Sequence, residues 1–249
     1  MVEEAPSPYL DDTLRNEMGK QAIALAKAVD YFSVGTIEFI VDTKQNFYFL
    51  EMNTRLQVEH PVTELVYNID LVKEMINIAS NKELSIVQKN IQASGWAVES
   101  RIYAEDPLRQ FLPSSGRLTV YSAPSELNEQ ELKVRNDTGV FEGAEIPIFY
   151  DPMIAKLCVW ATDRNKAVGL MQEALDNFLV EGVSSNIDFL SAVMENKKFK
   201  KGDFSTAFIS EEFKDGFQYL EVGAKLLNYF GVIAICIDDM NNSRWEMKV

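Results

Sequence analysis

Two runs rich in β-branched and aromatic residues, 35–41 and 47–52, flank the polar connection Asp42-Thr43-Lys44-Gln45-Asn46. Runs of that kind around a short polar stretch predict an antiparallel hairpin. A hairpin constrains its neighbourhood strongly, because successive side chains alternate between its faces and a slip of one residue exchanges the two sets. With the turn at Lys44-Gln45, Phe39 is expected opposite Leu50, Ile40 opposite Phe49, and Glu38 opposite Glu51. Like charges directly opposite on adjacent strands cost up to ~1 kcal/mol. A cation between them is the simplest relief. Carboxylate and amide oxygens suit Mg²⁺, which takes one or two carboxylates and leaves its other positions to water and phosphates. Asn53, on the face of Glu51, supplies a third oxygen. Alone, the pair reads first as two solvated glutamates on an open sheet face.

The next residues shift that balance. Glu51, Asn53, Arg55, Gln57 and Glu59 are polar, while Leu50, Met52, Leu56 and Val58 between them are apolar. Such alternation marks one wet and one buried side. Eight extended steps would span roughly 26 Å, too long for one active centre, so a bend after Asn53 is expected if the five groups act together. Arg55 is a planar fork suited to carboxylate, carbonate or phosphate. Glu59 beside it is placed to remove a proton from the bound species.

The stretch Phe49-Leu50-Glu51-Met52-Asn53-Thr54-Arg55-Leu56-Gln57-Val58-Glu59-His60-Pro61-Val62-Thr63-Glu64 resembles the signature of the biotin carboxylases, members of the ATP-grasp superfamily. Gly95-Trp96-Ala97-Val98-Glu99-Ser100-Arg101-Ile102-Tyr103-Ala104-Glu105-Asp106-Pro107 resembles the start of that family's C-terminal domain, and Tyr150-Asp151-Pro152-Met153-Ile154-Ala155-Lys156-Leu157 agrees with it as well. The likeness runs from residue 2 to about 215 and is greatest to α-subunits of propionyl-CoA and related acyl-CoA carboxylases. It implies an α+β fold: the C-terminal half of an ATP-grasp domain over 1–84, then a biotin carboxylase C-terminal domain with antiparallel sheet and packed helices over 85–215. Residues 216–249 would be a linker or the start of a subunit-contact region.

The implied activity is carboxylation of biotin with ATP and bicarbonate. Glu38, Glu51 and Asn53 would hold Mg²⁺ (or Mn²⁺), with Glu38 and Glu51 thereby serving ATP. Arg55, Gln57 and the backbone at Val58 would hold bicarbonate. Glu59 would be the general base, and Arg101 would stabilise the biotin enolate, where a developing oxyanion needs a positive partner. Implied partners are a biotinyl carrier domain, a carboxyltransferase β-subunit and a second copy in a homo-oligomer, in a bacterial cytoplasm or a mitochondrial matrix. The chain departs from the family in two places. No Gly-rich phosphate loop occurs in it, which suggests a fragment beginning inside the nucleotide-binding domain and inactive alone. Beyond about Leu220 the pattern is lost, and Lys248 lacks the Met-Lys-Met surroundings of a biotinylation site, so biotin is expected on a carrier elsewhere.

With 24 Lys+Arg against 38 Asp+Glu in 249 residues, the net charge is −14. That balance opposes nucleic acid and anionic membranes. The apolar run 226–237 contains Asn228 and is too short for a bilayer span. A single histidine, His60, and two cysteines rule out a zinc cluster or a disulfide framework. Cys158 and Cys236, each between aliphatic neighbours, read as buried thiols, and His60, preceding Pro61, as an extended structural residue. Helical spacing is expected over 13–29, 65–78, 164–180 and 186–194, and a strand over 96–103. Two other readings stand beside the main one. The Glu-x-Asn pair also occurs in other ATP-grasp ligases, such as carbamoyl phosphate synthetase, although the Arg101 block is not expected there. A non-catalytic fragment that binds partner subunits is the second.

Overall fold

The computed structural model describes residues 1–219 and 223–246, with the backbone alone at Lys225 and 241–246, so Lys248 lies outside the described residues. The chain divides into a unit Met1–Lys214 and a unit Asp215–Val249. In chain order the first unit comprises β1 (Val2–Ala5), α1 (Asp12–Ala28), β2 (Thr36–Val41), β3 (Phe47–Asn53), α2 (His60–Tyr67), α3 (Leu71–Ala79) and β4 (Trp96–Tyr103). Next come β5 (Val120–Ser122), β6 (Leu127–Asn128), β7 (Leu132–Thr138), β8 (Met153–Ala161), α4 (Arg164–Asp176), β9 (Leu179–Glu181), α5 (Ile187–Glu195), α6 (Lys197–Lys201) and α7 (Phe208–Glu212), with shorter bridges between some of them. The second unit contains α8 (Ala224–Glu246).

The α+β class is borne out. Five strands in the order β1-β4-β8-β7-β6 form an antiparallel sheet, and β2 with β3 form a separate hairpin. Residues 2–5 therefore sit at the side of a sheet whose other strands come from 96–161. The sheet is covered on both faces. On one, α4 and α5 bury Val168, Met171, Leu175, Phe189, Leu190 and Met194, each such side chain worth about 2 kcal/mol in removal from water. On the other, Val62 and Val66 of α2 pack against Ala97 and Trp160.

Several elements differ from expectation for local reasons. Residues 65–78 are not one helix. The chain breaks at Asn68, whose φ of 51° is left-handed, and Asp70 then caps α3 by accepting from Lys73 N at 2.8 Å. Helix α4 stops at Asp176, because 179–181 pair with 120–122 instead of continuing it. His60 is helical rather than extended: Pro61 lies in the first turn of α2, where its missing N–H costs nothing. Cys158 is buried as expected, but Cys236 is exposed on α8.

Candidate active site

The hairpin builds the acidic part of the site. Asp42 shapes the turn, its Oδ1 accepting from Lys44 N at 2.8 Å and Asn46 N at 2.9 Å, while Gln45 adopts a φ of 65°. From this turn the pairs run Val41–Phe47, Ile40–Tyr48 and Phe39–Phe49. The expected pairs Phe39–Leu50 and Ile40–Phe49 do not form. Continued unchanged, the turn's register would set Glu38 against Leu50 and put Glu51 on the opposite face. A bulge at Leu50 absorbs one residue, after which Glu38 pairs with Glu51 and Thr36 with Asn53. Bulges of this kind re-aim side chains beside active sites.

The two acids do converge. Asn53 Nδ2 donates to Glu38 Oε1 at 2.7 Å and reaches Glu51 Oε1 at 3.4 Å. Gln57 Nε2 donates to the same Glu38 oxygen at 2.8 Å. One amide thus stands between both carboxylates, and a half-turn of it would offer Oδ1 to a cation in its place. Among the described residues no group of three His, Cys, Asp or Glu side chains converges to hold a metal. The donor set is therefore two carboxylates and an amide oxygen, all hard oxygens, which fits Mg²⁺ or Mn²⁺ completed by water and phosphate.

Strand β3 ends at Asn53, and the chain turns there as the bend required. Residues 54–59 form a loop leading into α2. Arg55 is exposed, its NH1 donating to the Leu56 carbonyl at 3.2 Å. Glu59 does not lean on Arg55. Its Oε2 instead accepts from Arg101 NH2 at 2.8 Å. Arg101, on β4, also reaches Glu3 at 3.2 Å and Glu99 at 3.4 Å. Burial would weaken the guanidinium's charge, but Tyr103 and the acids Glu3 and Glu59 outweigh it and push its pKa up. Burial raises the carboxyls of Glu3 and Glu99.

The sheet beneath this loop carries a polar stripe. Glu3, Glu99, Cys158 and Arg135 lie in one cross-strand row, and Arg101, Lys156 and Asp137 in the next. From there a closed ring of side chains rises to α2. Arg135 NH1 donates to Glu64 Oε2 at 2.7 Å, and Glu64 Oε1 lies 3.1 Å from His60 Nδ1. His60 Nε2 lies 3.3 Å from Lys156 Nζ, which is 3.4 Å from Asp137, whose carboxylate accepts from Arg135 Nε at 2.7 Å. Sequence reasoning missed Glu3, Glu64, Glu99, Arg135, Asp137 and Lys156. The alternation of 96–103 could have put Glu99 beside Arg101, that of 132–138 Arg135 beside Asp137, and the i,i+4 spacing of α2 His60 beside Glu64; nothing local connects Glu3 or Lys156 to them.

Residues 99–211 match the family described as biotin carboxylase C-terminal domain, and residues 1–87 the carbamoyl-phosphate synthase L chain ATP-binding domain. The fold and both matches agree that the chain belongs to the biotin carboxylases, with an ATP-grasp segment first. It is 58% identical over 233 residues to the propionyl-CoA carboxylase alpha chain of Ruegeria pomeroyi, covering 88% of this chain and 34% of that one. Against the mitochondrial propionyl-CoA carboxylase alpha chain of Homo sapiens it is 53% identical over 219 residues, covering 88% and 30%. Among solved structures, the Campylobacter jejuni biotin carboxylase–beta-gamma-ATP complex matches with a TM-score of 0.80 and 42% identity, over 85% of this chain and 46% of that one. The biotin carboxylase domain dimer of Hydrogenobacter thermophilus 2-oxoglutarate carboxylase, solved with MgADP, ADP and bicarbonate, matches at 0.83 and 41%, over 89% and 48%. The chain spans about a third of the curated relatives' length and just under half of these structures.

Proposed function

We propose that this chain supplies the metal- and bicarbonate-binding part of an ATP-dependent biotin carboxylation, as a segment of a biotin-dependent acyl-CoA carboxylase α-subunit, with propionyl-CoA as the final acceptor. Carbamoyl phosphate synthetase is the weaker reading, because residues 99–211 match a biotin carboxylase domain. Glu38, Glu51 and Asn53 hold the divalent ion, and the ion, when bound, neutralises phosphate charge on ATP. Arg55, with the amide of Gln57 and the backbone N–H of Val58, grips bicarbonate. Glu59 takes the bicarbonate proton, so that an oxygen attacks the γ-phosphorus, ADP leaves and carboxyphosphate forms. Cleavage of the C–O bond that joins the carboxyl carbon of carboxyphosphate to its phosphate then leaves CO₂ and phosphate. The ureido N–H proton of biotin passes to that phosphate, and Arg101 compensates the resulting oxyanion as the biotin nitrogen takes up CO₂. A biotinyl carrier domain, a carboxyltransferase β-subunit and a second copy are the partners this reading requires. The compartment is that of its relatives, a bacterial cell or a mitochondrion.

The observation that carries the reading is the loop between Asn53 and α2. It ties Gln57 to Glu38 at one end and Glu59 to Arg101 at the other, which supports reading the two acids and the Glu59–Arg101 pair as parts of one centre. Titration of the 249-residue chain with Mn²⁺ and with ¹³C-bicarbonate tests it. Glu51→Gln is expected to weaken Mn²⁺ binding by about tenfold or more and leave bicarbonate binding in place. Arg55→Ala is expected to do the reverse. Failure of the unaltered chain to bind either ligand defeats the reading.

A further inference from the structure

The block around residues 150–157 has so far no chemical role, yet Lys156 within it touches the centre directly. Lys156 sits on β8, opposite Arg101 on one neighbouring strand and opposite Asp137 on the other. Its side chain is 13% exposed. The ammonium has three N–H groups and three neighbours: the Val58 carbonyl at 3.1 Å, His60 Nε2 at 3.3 Å and Asp137 Oδ2 at 3.4 Å. An ammonium always donates, so His60 meets it with the Nε2 lone pair and keeps its proton on Nδ1, toward Glu64.

We propose that Lys156 is a positioning residue for the Glu59 loop, and the proposal rests on the bicarbonate-site reading. The Val58 carbonyl belongs to the peptide that joins Val58 to Glu59. Holding it sets the plane from which the Glu59 side chain departs, while Arg101 holds the far end of that side chain at 2.8 Å. Lys156 and Arg101 thus grip one residue from two sides, one by the backbone and one by the carboxylate. The pair is costly as packing alone. Two cations directly opposite on adjacent strands repel, and this pair persists because Glu3, Glu59, Glu99 and Asp137 surround it. A neutral donor would satisfy the carbonyl without that repulsion. The same anchor fixes the turn that presents the Val58 N–H, so its loss misplaces both the base and one bicarbonate donor.

The test is ¹³C-bicarbonate binding to the full 249-residue chain and its Lys156 variants. Lys156→Met is expected to weaken binding about tenfold, the scale of one hydrogen bond lost to a charged ligand, with Mn²⁺ affinity unchanged because the acid pair sits on the hairpin. Lys156→Arg, which keeps a cationic donor, is expected to recover most of the loss. In the unaltered chain the Lys156 ¹⁵Nζ resonance should be slowed in exchange by its carbonyl bond and shift on adding bicarbonate; this measurement stands even if Lys156→Met does not fold. Equal bicarbonate binding by Lys156→Met and the unaltered chain, or a Lys156 resonance indifferent to bicarbonate, overturns the role of Lys156 alone. Absence of bicarbonate binding in the unaltered chain overturns the site reading, and Lys156 falls with it.

Discussion

Glu64 shows how one side chain can be held ionised inside the sheet–helix seam. It is 8% exposed, and burial by itself would raise its carboxyl. His60, Arg135 and the Leu71 amide outweigh that and hold it at about 2 against an ordinary 4.5. A depressed acid stabilises the fold fully above its unfolded value and loses that contribution as pH falls through its folded one. Glu64→Gln should therefore destabilise the chain by about 2 kcal/mol at pH 7 and by roughly half as much at pH 3, read from urea unfolding at both. A difference that does not shrink in acid contradicts the assignment. The residues legible beforehand were those whose partners lie close in sequence. Glu38, Glu51 and Asn53 share one hairpin, so periodicity alone placed them on a face. Glu59 and Arg101 are 42 positions apart, and Lys156 and Val58 are 98 apart. No local pattern encodes such pairs, and only the family likeness singled out Arg101.

Among the elements, the hairpin shows where alternation stops being a sufficient guide. It predicted two strands and the Glu38–Glu51 pair correctly, yet it assumed one register throughout. The register actually changes at Leu50, because the turn built by Asp42 and Gln45 is one residue out of phase with the acids. Deleting Leu50, which is 60% exposed, removes the bulge and leaves both acids opposed in a regular ladder. Mn²⁺ affinity should then stay within about threefold of the unaltered chain, since little apolar burial is lost. Insertion of one Ala between Leu50 and Glu51 sets Glu51 against Ile37 on the far face where the bulge is kept, or against Thr36, two residues along from Glu38, where it is lost, and should strongly weaken binding either way. If both variants bind alike, the bulge does not set the acids' phase. The split of 65–78 into two helices was hidden for a related reason. Asn68 and Asp70 are single-residue signals, and the apolar period runs across them unbroken.

At the level of the molecule, the 1–214 unit holds a two-faced sheet core of its own. Helix α8 in the other unit exposes Tyr229, Phe230, Val232, Ile233 and Ile235, each more than half accessible. No helix among the described residues is long and apolar enough to cross a membrane. Exposed apolar surface of this kind promotes self-association. Ending the chain at Tyr219, which keeps the buried Phe217, should leave the thermal midpoint unchanged within a few degrees, in line with a stability change of less than about 1 kcal/mol, and reduce aggregation measured by light scattering. A large drop in the midpoint would show that 220–249 support the rest of the fold.

The ring through Arg135, Glu64, His60, Lys156 and Asp137 also bears on how this seam can drift over generations. Each member lies within 3.4 Å of two others, so a lone replacement strands a charge or a lone pair under α2, whereas an apolar set of matching shape strands none. Viable descendants should thus differ here by several concerted changes or by none, and single-step intermediates should be the ones that fail to accumulate in cells.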